Sequence, residues 1–148
     1  MNNRDLGLTT MFATLYAVGV VWPLSFMGVQ CRLSCALIPL IAIFGLPATL
    51  GITVGHFIFN SFSPIGWLDY LSPLIFFIPR WLIQKYGVKA MPIHTVTVSV
   101  WVPLILNWAF KIPIIPTILT VGIGELIAEW YIGYLGLYPR FAKRWSFT

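Results

Sequence analysis

The most constraining feature of this sequence is the length of its uncharged stretches. Between Arg32 and Arg80 the only Asp, Glu, Lys or Arg is Asp69. None of these residue types occurs between Lys89 and Lys111. Over all 148 residues 9% are charged and 59% are hydrophobic, against roughly a quarter charged in an ordinary soluble domain. A bilayer stabilises such runs, so the sequence predicts a multi-pass protein of the cell membrane.

The net charge of +5 would suit a nucleic-acid partner only if the nine Lys and Arg side chains formed a basic face. They are dispersed between apolar runs, so we expect the lipid bilayer, and no nucleic acid, as a partner. We also expect no cleavable signal peptide, because the first apolar run is long and no small-residue cleavage site precedes the next one.

Six apolar segments are candidates for transmembrane helices, which need about 20 residues, or fewer where a helix is short or bent. We predict them at residues 8–26, 33–46, 48–62, 70–84, 93–110 and 113–137. Pro47 and the glycines around it indicate the break between the second and third segments. No repeat, linker or second domain is evident. The expected architecture is therefore one all-α transmembrane domain over residues 1–148, a six-helix bundle.

The orientation follows from the positive residues, because Lys and Arg in short loops stay in the cytoplasm. With six spans, both termini lie on one side. That side carries Arg4, Lys85, Lys89, Arg140, Lys143 and Arg144, with Arg80 nearby. The other side carries Arg32 and Lys111. We therefore predict that both termini are cytoplasmic.

This topology gathers polar and aromatic side chains into a cup near the outer face. They are Gln30, Arg32, Asn60, Trp67, Asp69, Tyr70, Asn107, Trp108 and Lys111. Asp69 and Asn60 could read a flat heterocycle by hydrogen bonds while the rings stack on it. Two other interpretations stay open. The rings could belong to the aromatic belt at headgroup level, and Asp69 could be the N-cap of the fourth span.

Glu125 and Glu129, two of the four acidic residues, lie one helical turn apart in the sixth predicted span. At 1.5 Å per residue, Glu125 is about 14 to 18 Å from the outer end of that span, near the bilayer midplane. Intramembrane ionisable residues usually pair with a partner or a ligand. Arg80 is at a depth to form a structural ion pair with Glu129. Glu125 has no obvious basic partner, so it is either protonated or faces a cavity and a donor-rich ligand.

No metal site or catalytic site is predicted. His56 and His94 fall in different spans, and Cys31 and Cys35 have no further Cys or His at metal-ligand spacing. The sequence has no P-loop or dinucleotide-binding motif, and no base is recognisable near a candidate nucleophile. We therefore do not expect an enzyme.

Three stretches carry a family resemblance: VQCRLSCALIPL at 29–40, GITVGHFIFNSFSPIGWLDYL at 51–71 and VGIGELIAEW at 121–130. They resemble the QueT family, the membrane-embedded substrate-binding S-components of energy-coupling factor (ECF) transporters, over about residues 8–140. The resemblance implies capture of a queuosine precursor, a 7-deazaguanine base, from the outer face. It implies as partners an ECF transmembrane coupling protein and two ATPase subunits. ATP is used by those subunits, and this chain itself needs no cofactor.

The resemblance also bears on individual residues. Glu125 would accept the ring N–H and the exocyclic amino group of the base as a bidentate pair. Cys35 stands where the family pattern leads us to expect an acidic residue, which leaves the identity of the base open. Ala13 and Ala17 form a small-residue face in the first span. S-components resemble one another in docking on the coupling protein through such a face.

Three alternatives remain. The chain could be an S-component for a different small heterocycle or vitamin, a stand-alone small membrane transporter, or a structural subunit of a membrane assembly. A stand-alone transporter would need a polar path through the inner half or an internal repeat, and a structural subunit would need no outward cup.

Overall fold

The computed structural model describes the backbone of residues 2–21, 23–26 and 29–145 and the side chains of residues 2–20 and 32–145. The helices are α1 (Asn3–Val21), α2 (Ile41–Phe44), α3 (Leu46–Asn60), α4 (Leu71–Tyr86), α5 (Met91–Phe110), α6 (Ile114–Glu125) and α7 (Tyr138–Trp145). Short 3-10 segments, Leu33–Leu40, Gly66–Tyr70 and Gly87–Ala90, precede α2, α4 and α5. A π-helical segment, Leu126–Leu137, joins α6 to α7.

Helical structure occurs in all six predicted segments, but the first ends earlier than expected. Helix α1 ends at Val21, and a two-stranded antiparallel hairpin follows it. Its strands are β1 (Pro23–Phe26) and β2 (Val29–Arg32). Pro23 has no N–H and disfavours helical conformation in the residue before it, which explains why the helix does not continue to residue 26.

The break between the second and third segments is confirmed. It lies at Gly45, whose φ of 61° falls in a region that glycine adopts without strain. Pro47 sits in the first turn of α3, where its missing N–H costs no hydrogen bond.

Two continuous helical stretches have the length and hydropathy needed to cross a membrane. They are Gly66–Phe110, with 45 residues, and Ile114–Trp145, with 32. The first contains α4 and α5, which are separated at Gly87. The second extends past the predicted end at residue 137 and includes the basic helix α7. Leu33–Phe44 forms a shorter apolar helix.

Helices α1 and α3 pack with their backbones in close contact. A Cβ atom added at Gly51 would collide with the carbonyl oxygen of Thr9, and one at Gly55 with that of Ala13. Small residues allow such an approach between helices in lipid. The contact buries Tyr16 of α1 beside α3.

The Leu33–Leu40 segment packs equally closely on the π-helical segment. A Cβ atom at Gly133 would lie 2.7 Å from the carbonyl oxygen of Ala36 and 3.0 Å from Cγ of Pro39. This approach places Cys35 against Glu125 at the end of α6.

The buried core contains an unusual number of polar side chains for so apolar a chain. They are Ser34, Thr49, Thr53, His56, Asn60, Ser72, Arg80, His94, Thr117, Glu125 and Glu129. Buried polar groups need partners, so their pairing decides which of them are available to a ligand.

Candidate functional site

Arg80 of α4 is fully buried and is held by neutral side chains of α1 and α3. Its Nη1 donates to Oγ1 of Thr53 at 3.4 Å, and its Nη2 donates to the Tyr16 hydroxyl at 3.3 Å. Nη2 also lies 3.2 Å from Nδ1 of His56. The guanidinium carbon is 5.3 Å from the Tyr16 ring centre, a cation–π distance. We call Tyr16, Thr53, His56 and Arg80 the arginine cluster.

The predicted Arg80–Glu129 ion pair does not form in the described part of the chain. Glu129 pairs instead with α5: its Oε2 lies 3.2 Å from Nδ1 of His94 and accepts a hydrogen bond from Oγ1 of Thr95 at 3.0 Å. Nε1 of Trp130 donates to the same Thr95 hydroxyl at 2.9 Å. The prediction rested on a similar depth along the helices, but the Arg80 side chain turns towards α1 and α3 while Glu129 faces α5.

Glu125 is 1% exposed and has an unusual partner. Its Oε1 accepts a hydrogen bond from Sγ of Cys35 at 3.2 Å, and its Oε2 has no hydrogen-bond partner among the described residues. Within residues 32–145, no Lys or Arg side chain hydrogen bonds to this carboxylate. Cys35 is therefore in direct contact with Glu125.

His94, Glu125 and Glu129 come together at the centre of the bundle. Each offers one potential metal-ligand atom, and these atoms lie within 4.8 Å of one another. Nε2 of His94, Oε2 of Glu125 and Oε1 of Glu129 are buried and have no hydrogen-bond partner in the part of the chain that the structure describes. We call these three residues and Cys35 the acidic cluster. The expectation of no metal site weighed only His and Cys residues and did not consider a cluster that includes two carboxylates.

Phe76 of α4 lies between the two clusters. Its ring stacks on His56 of the arginine cluster, with centroids 5.6 Å apart, and meets His94 of the acidic cluster edge-on at 6.0 Å. Phe76 also lines a small cavity. The same ring therefore contacts both clusters and this cavity.

The cavity brings together only part of the predicted cup. It is lined by Arg32, Ile65, Asp69, Ser72, Phe76, Val102, Ile105 and Leu106. Its volume is about 30 Å³, the space of roughly one water molecule. Of the nine predicted cup residues, Arg32 and Asp69 are the two that line it. The side chain of Gln30, which lies in β2, falls outside the described residues.

The three predicted aromatic residues of the cup lie on the surface of the chain. Trp67 is 70% exposed, Trp108 62% and Tyr70 40%. Tyr70 stacks on Phe57, with centroids 6.4 Å apart. Rings in such positions suit an interfacial belt better than a ligand cavity.

The predicted amides of the cup stabilise helix ends. Nδ2 of Asn60 donates to the carbonyl oxygen of Asp69 at 2.6 Å. Oδ1 of Asp69 accepts from Oγ of Ser72 at the start of α4. Asn107 donates to the carbonyl oxygen of Ile112 at 2.8 Å and closes the end of α5. The exposed residue Lys111 is that helix's left-handed C-cap, with φ 58°.

The family model for the QueT transporter matches residues 6–139. The chain belongs to the QueT transporter family. Searches of curated proteins and of solved structures gave no significant match. The membership and the apolar helices together indicate a membrane protein with a role in transport.

In this QueT transporter family chain, Ala13 and Ala17 differ in environment. Ala13 is buried beside Gly55 of α3, whereas Ala17 is partly exposed. Both line a surface groove of about 440 Å³ between α1 and α3. The other lining residues are Thr9, Thr10, Thr14, Val18, Val54 and Ile58.

Sequence reasoning missed two features of the candidate site. One is the His94–Glu129 pair, which could have been found by treating every titratable residue in an apolar run as a candidate partner. The other is Ser72, which accepts a hydrogen bond from Nε1 of Trp101 at 3.0 Å beside the cavity. A serine and a tryptophan in apolar helices carry no comparable sequence signal.

Proposed function

We propose that this chain is the substrate-capture subunit of an ATP-driven ECF importer, and that it binds a 7-deazaguanine queuosine precursor at Glu125. The observation that carries the proposal is the buried Glu125 carboxylate, whose Oε2 has no partner. A guanine-like base presents two adjacent N–H donors, and one carboxylate can accept both in a charge-assisted pair. The ligand would thereby supply the donors that the described protein does not.

The route to Glu125 would lead through the outer cavity. Arg32, Asp69 and Phe76 line this cavity, and the Phe76 ring also contacts His94 edge-on. Since its volume of about 30 Å³ is far too small for a two-ring base, binding requires the outer ends of the helices to separate and Phe76 to turn. Lid movements of this kind would also keep the bound base away from water.

We place the chain as one domain of six spans, with both termini in the cytoplasm. Helices in the six predicted segments support this topology, as does the positive charge near the termini and the α4–α5 connection. A single cysteine introduced after Arg140, in a background without Cys31 and Cys35, should resist impermeant thiol reagents in intact cells and react after permeabilisation. Efficient labelling of intact cells would contradict the topology.

The partners in this proposal are an ECF transmembrane coupling protein and two ATPase subunits. Docking would use the groove that Ala13 and Ala17 line on α1. Ala17→Trp should abolish ATP-dependent uptake while the isolated subunit still binds the base. Leu119→Trp, at an exposed position of α6, is the matched control and should leave uptake intact. Equal loss of binding and uptake in Ala17→Trp would show that the face serves internal packing.

Two measurements separate this function from its alternatives. Calorimetric titration of the purified chain with deazaguanine bases should show saturable binding at one site per chain. A lack of binding would favour an S-component for another heterocycle or vitamin. Uptake by the chain alone in ATP-free liposomes should be absent, and its presence would identify a stand-alone transporter. In either case the transport role implies no catalysis by this chain.

A further inference from the structure

We propose that His94, Glu125 and Glu129 form a binding site for a divalent transition-metal ion of the Zn²⁺ type. Their potential ligand atoms lie within 4.8 Å of one another, and all three residues are buried. Each also has one polar atom without a hydrogen-bond partner. Three unpaired atoms on three neighbouring side chains have a common explanation if one ion binds among them, because buried polar atoms otherwise have partners.

The ligand types select the class of metal. One imidazole nitrogen with two carboxylates is a donor set that suits Zn²⁺ and its first-row neighbours, as in catalytic zinc sites with mixed His and Glu ligands. Ca²⁺ and Mg²⁺ prefer ligand sets made of oxygen alone.

Groups around the three ligands would orient them. Thr95 donates to Oε2 of Glu129 and is itself fixed by Nε1 of Trp130. Cys35 contacts Oε1 of Glu125 at 3.2 Å, so its sulfur is a further potential metal ligand. Supporting hydrogen bonds of this kind hold metal ligands in place and typically contribute 10- to 100-fold in affinity.

Charge also favours a cation here. Two carboxylates lie in the acidic cluster, and in the described part of the chain neither forms an ion pair with Lys or Arg. The hydrogen bonds of Arg80 go to Tyr16, Thr53 and His56. A divalent ion would balance the carboxylates without a protein cation. The inference does not rest on the deazaguanine assignment, although an ion bound at Glu125 would engage the same carboxylate that is proposed to accept the base.

The test uses the full chain, purified in detergent, stripped with a chelator and then equilibrated with Zn²⁺ alone. Metal analysis after removal of free ion should find about one Zn²⁺ per chain, and Co²⁺ in its place should give the visible absorption of a low-symmetry, protein-bound ion. Absence of stoichiometric metal, or preferential retention of Mg²⁺ or Ca²⁺, would overturn the proposal. No base is added, so these outcomes leave the deazaguanine proposal unaffected.

Substitutions test whether these three residues are the ones that bind the metal. The double variant His94→Gln with Glu129→Gln should lose the bound metal, and Asp5→Asn, a remote carboxylate on α1, should keep it. Thr95→Val retains all three ligands but removes the bond to Glu129, so it should bind Zn²⁺ about 10- to 100-fold more weakly. If the double variant does not fold, Thr95→Val and His94→Cys, which keeps a ligating atom, still decide the matter. Unchanged Zn²⁺ affinity in Thr95→Val together with an unaltered Co²⁺ spectrum in His94→Cys would contradict the proposal.

Discussion

The arginine cluster and the acidic cluster meet at Phe76 and are equally shielded from water, but they differ in how their polar atoms are paired. Arg80 reaches three neutral partners and the faces of two aromatic rings, and only its Nε lacks a partner. The acidic cluster has one unpaired atom on each of His94, Glu125 and Glu129. The described residues of the arginine cluster therefore pair nearly all of its polar atoms, whereas the acidic cluster keeps unpaired polar atoms on three neighbouring side chains.

This difference in pairing distinguishes a charge that is buried for a structural role from charges that are buried for a functional role. A buried charge is costly unless hydrogen bonds or an opposite charge compensate for it. In the arginine cluster, two hydroxyls, an imidazole and ring faces from α1, α3 and α4 provide that compensation. In the acidic cluster, part of the compensation has to come from a ligand. We therefore expect changes in the arginine cluster to affect folding and changes at Glu125 to affect binding.

The largest expected effect is that of Glu125→Gln on binding of the base. The amide replaces one acceptor oxygen with a donor that would face an N–H of the ligand. Affinity should fall by about 2 to 4 kcal/mol, roughly 30- to 1,000-fold. Calorimetric titration with deazaguanine bases measures this loss of affinity. Asp5→Asn, which removes an acidic group far from the site, is the control. Near-native affinity in the Glu125 variant would contradict the assignment of ligand binding to the acidic cluster.

The second effect concerns the arginine cluster. Tyr16→Phe removes the hydroxyl that accepts from Nη2 of Arg80 and keeps the ring at its cation–π distance. A lost hydrogen bond to a charged group should lower the free energy of unfolding by about 1.5 to 3 kcal/mol. Denaturation of the purified chain in detergent measures this loss.

Base affinity in the folded fraction of Tyr16→Phe should stay within about twofold of the wild type, a difference of roughly 0.4 kcal/mol. A large drop in affinity with unchanged stability would mean that the arginine cluster also contacts the ligand. The division between the two clusters would then be wrong.

The sequence predicted the six helical segments, although not the early end of α1 at Val21 or the hairpin after it, and it did not predict how the helices are rotated. Runs of apolar residues marked all six helical segments, and Gly45 with Pro47 marked a break that the structure confirms. Depth along the helices placed Arg80 and Glu129 at similar levels. Which neighbour each side chain faces depends on helix rotation and packing, and these are set by close contacts such as Gly51 and Gly55 on α1.

The residues of the candidate site were likewise only partly predictable from the sequence. Glu125 could be singled out because an acidic residue in an apolar span needs a partner, and the only hydrogen bond it makes in the described part of the chain is to Cys35. The aromatic residues were less informative, because a tryptophan serves an interfacial belt and a binding cavity equally well. Only the exposure of each ring in the folded chain distinguishes these two roles.

The smallest expected effect is found by comparing substitutions of two tryptophans of α5. The comparison tests whether the ligand reaches the acidic cluster through the Phe76 cavity. Trp101 donates to Ser72, which lines that cavity, whereas Trp108 is 62% exposed on the surface. Trp101→Phe removes one hydrogen bond and should weaken base binding by about 0.5 to 1.5 kcal/mol, roughly 2- to 12-fold. Trp108→Phe, the matched change on the same helix, should alter affinity by less than about twofold, since the ring retains its interfacial character. Both variants can be titrated alongside the wild type under identical conditions. A larger loss in Trp108→Phe than in Trp101→Phe would place the ligand at the exposed rim and leave the acidic cluster without a role in capturing the base.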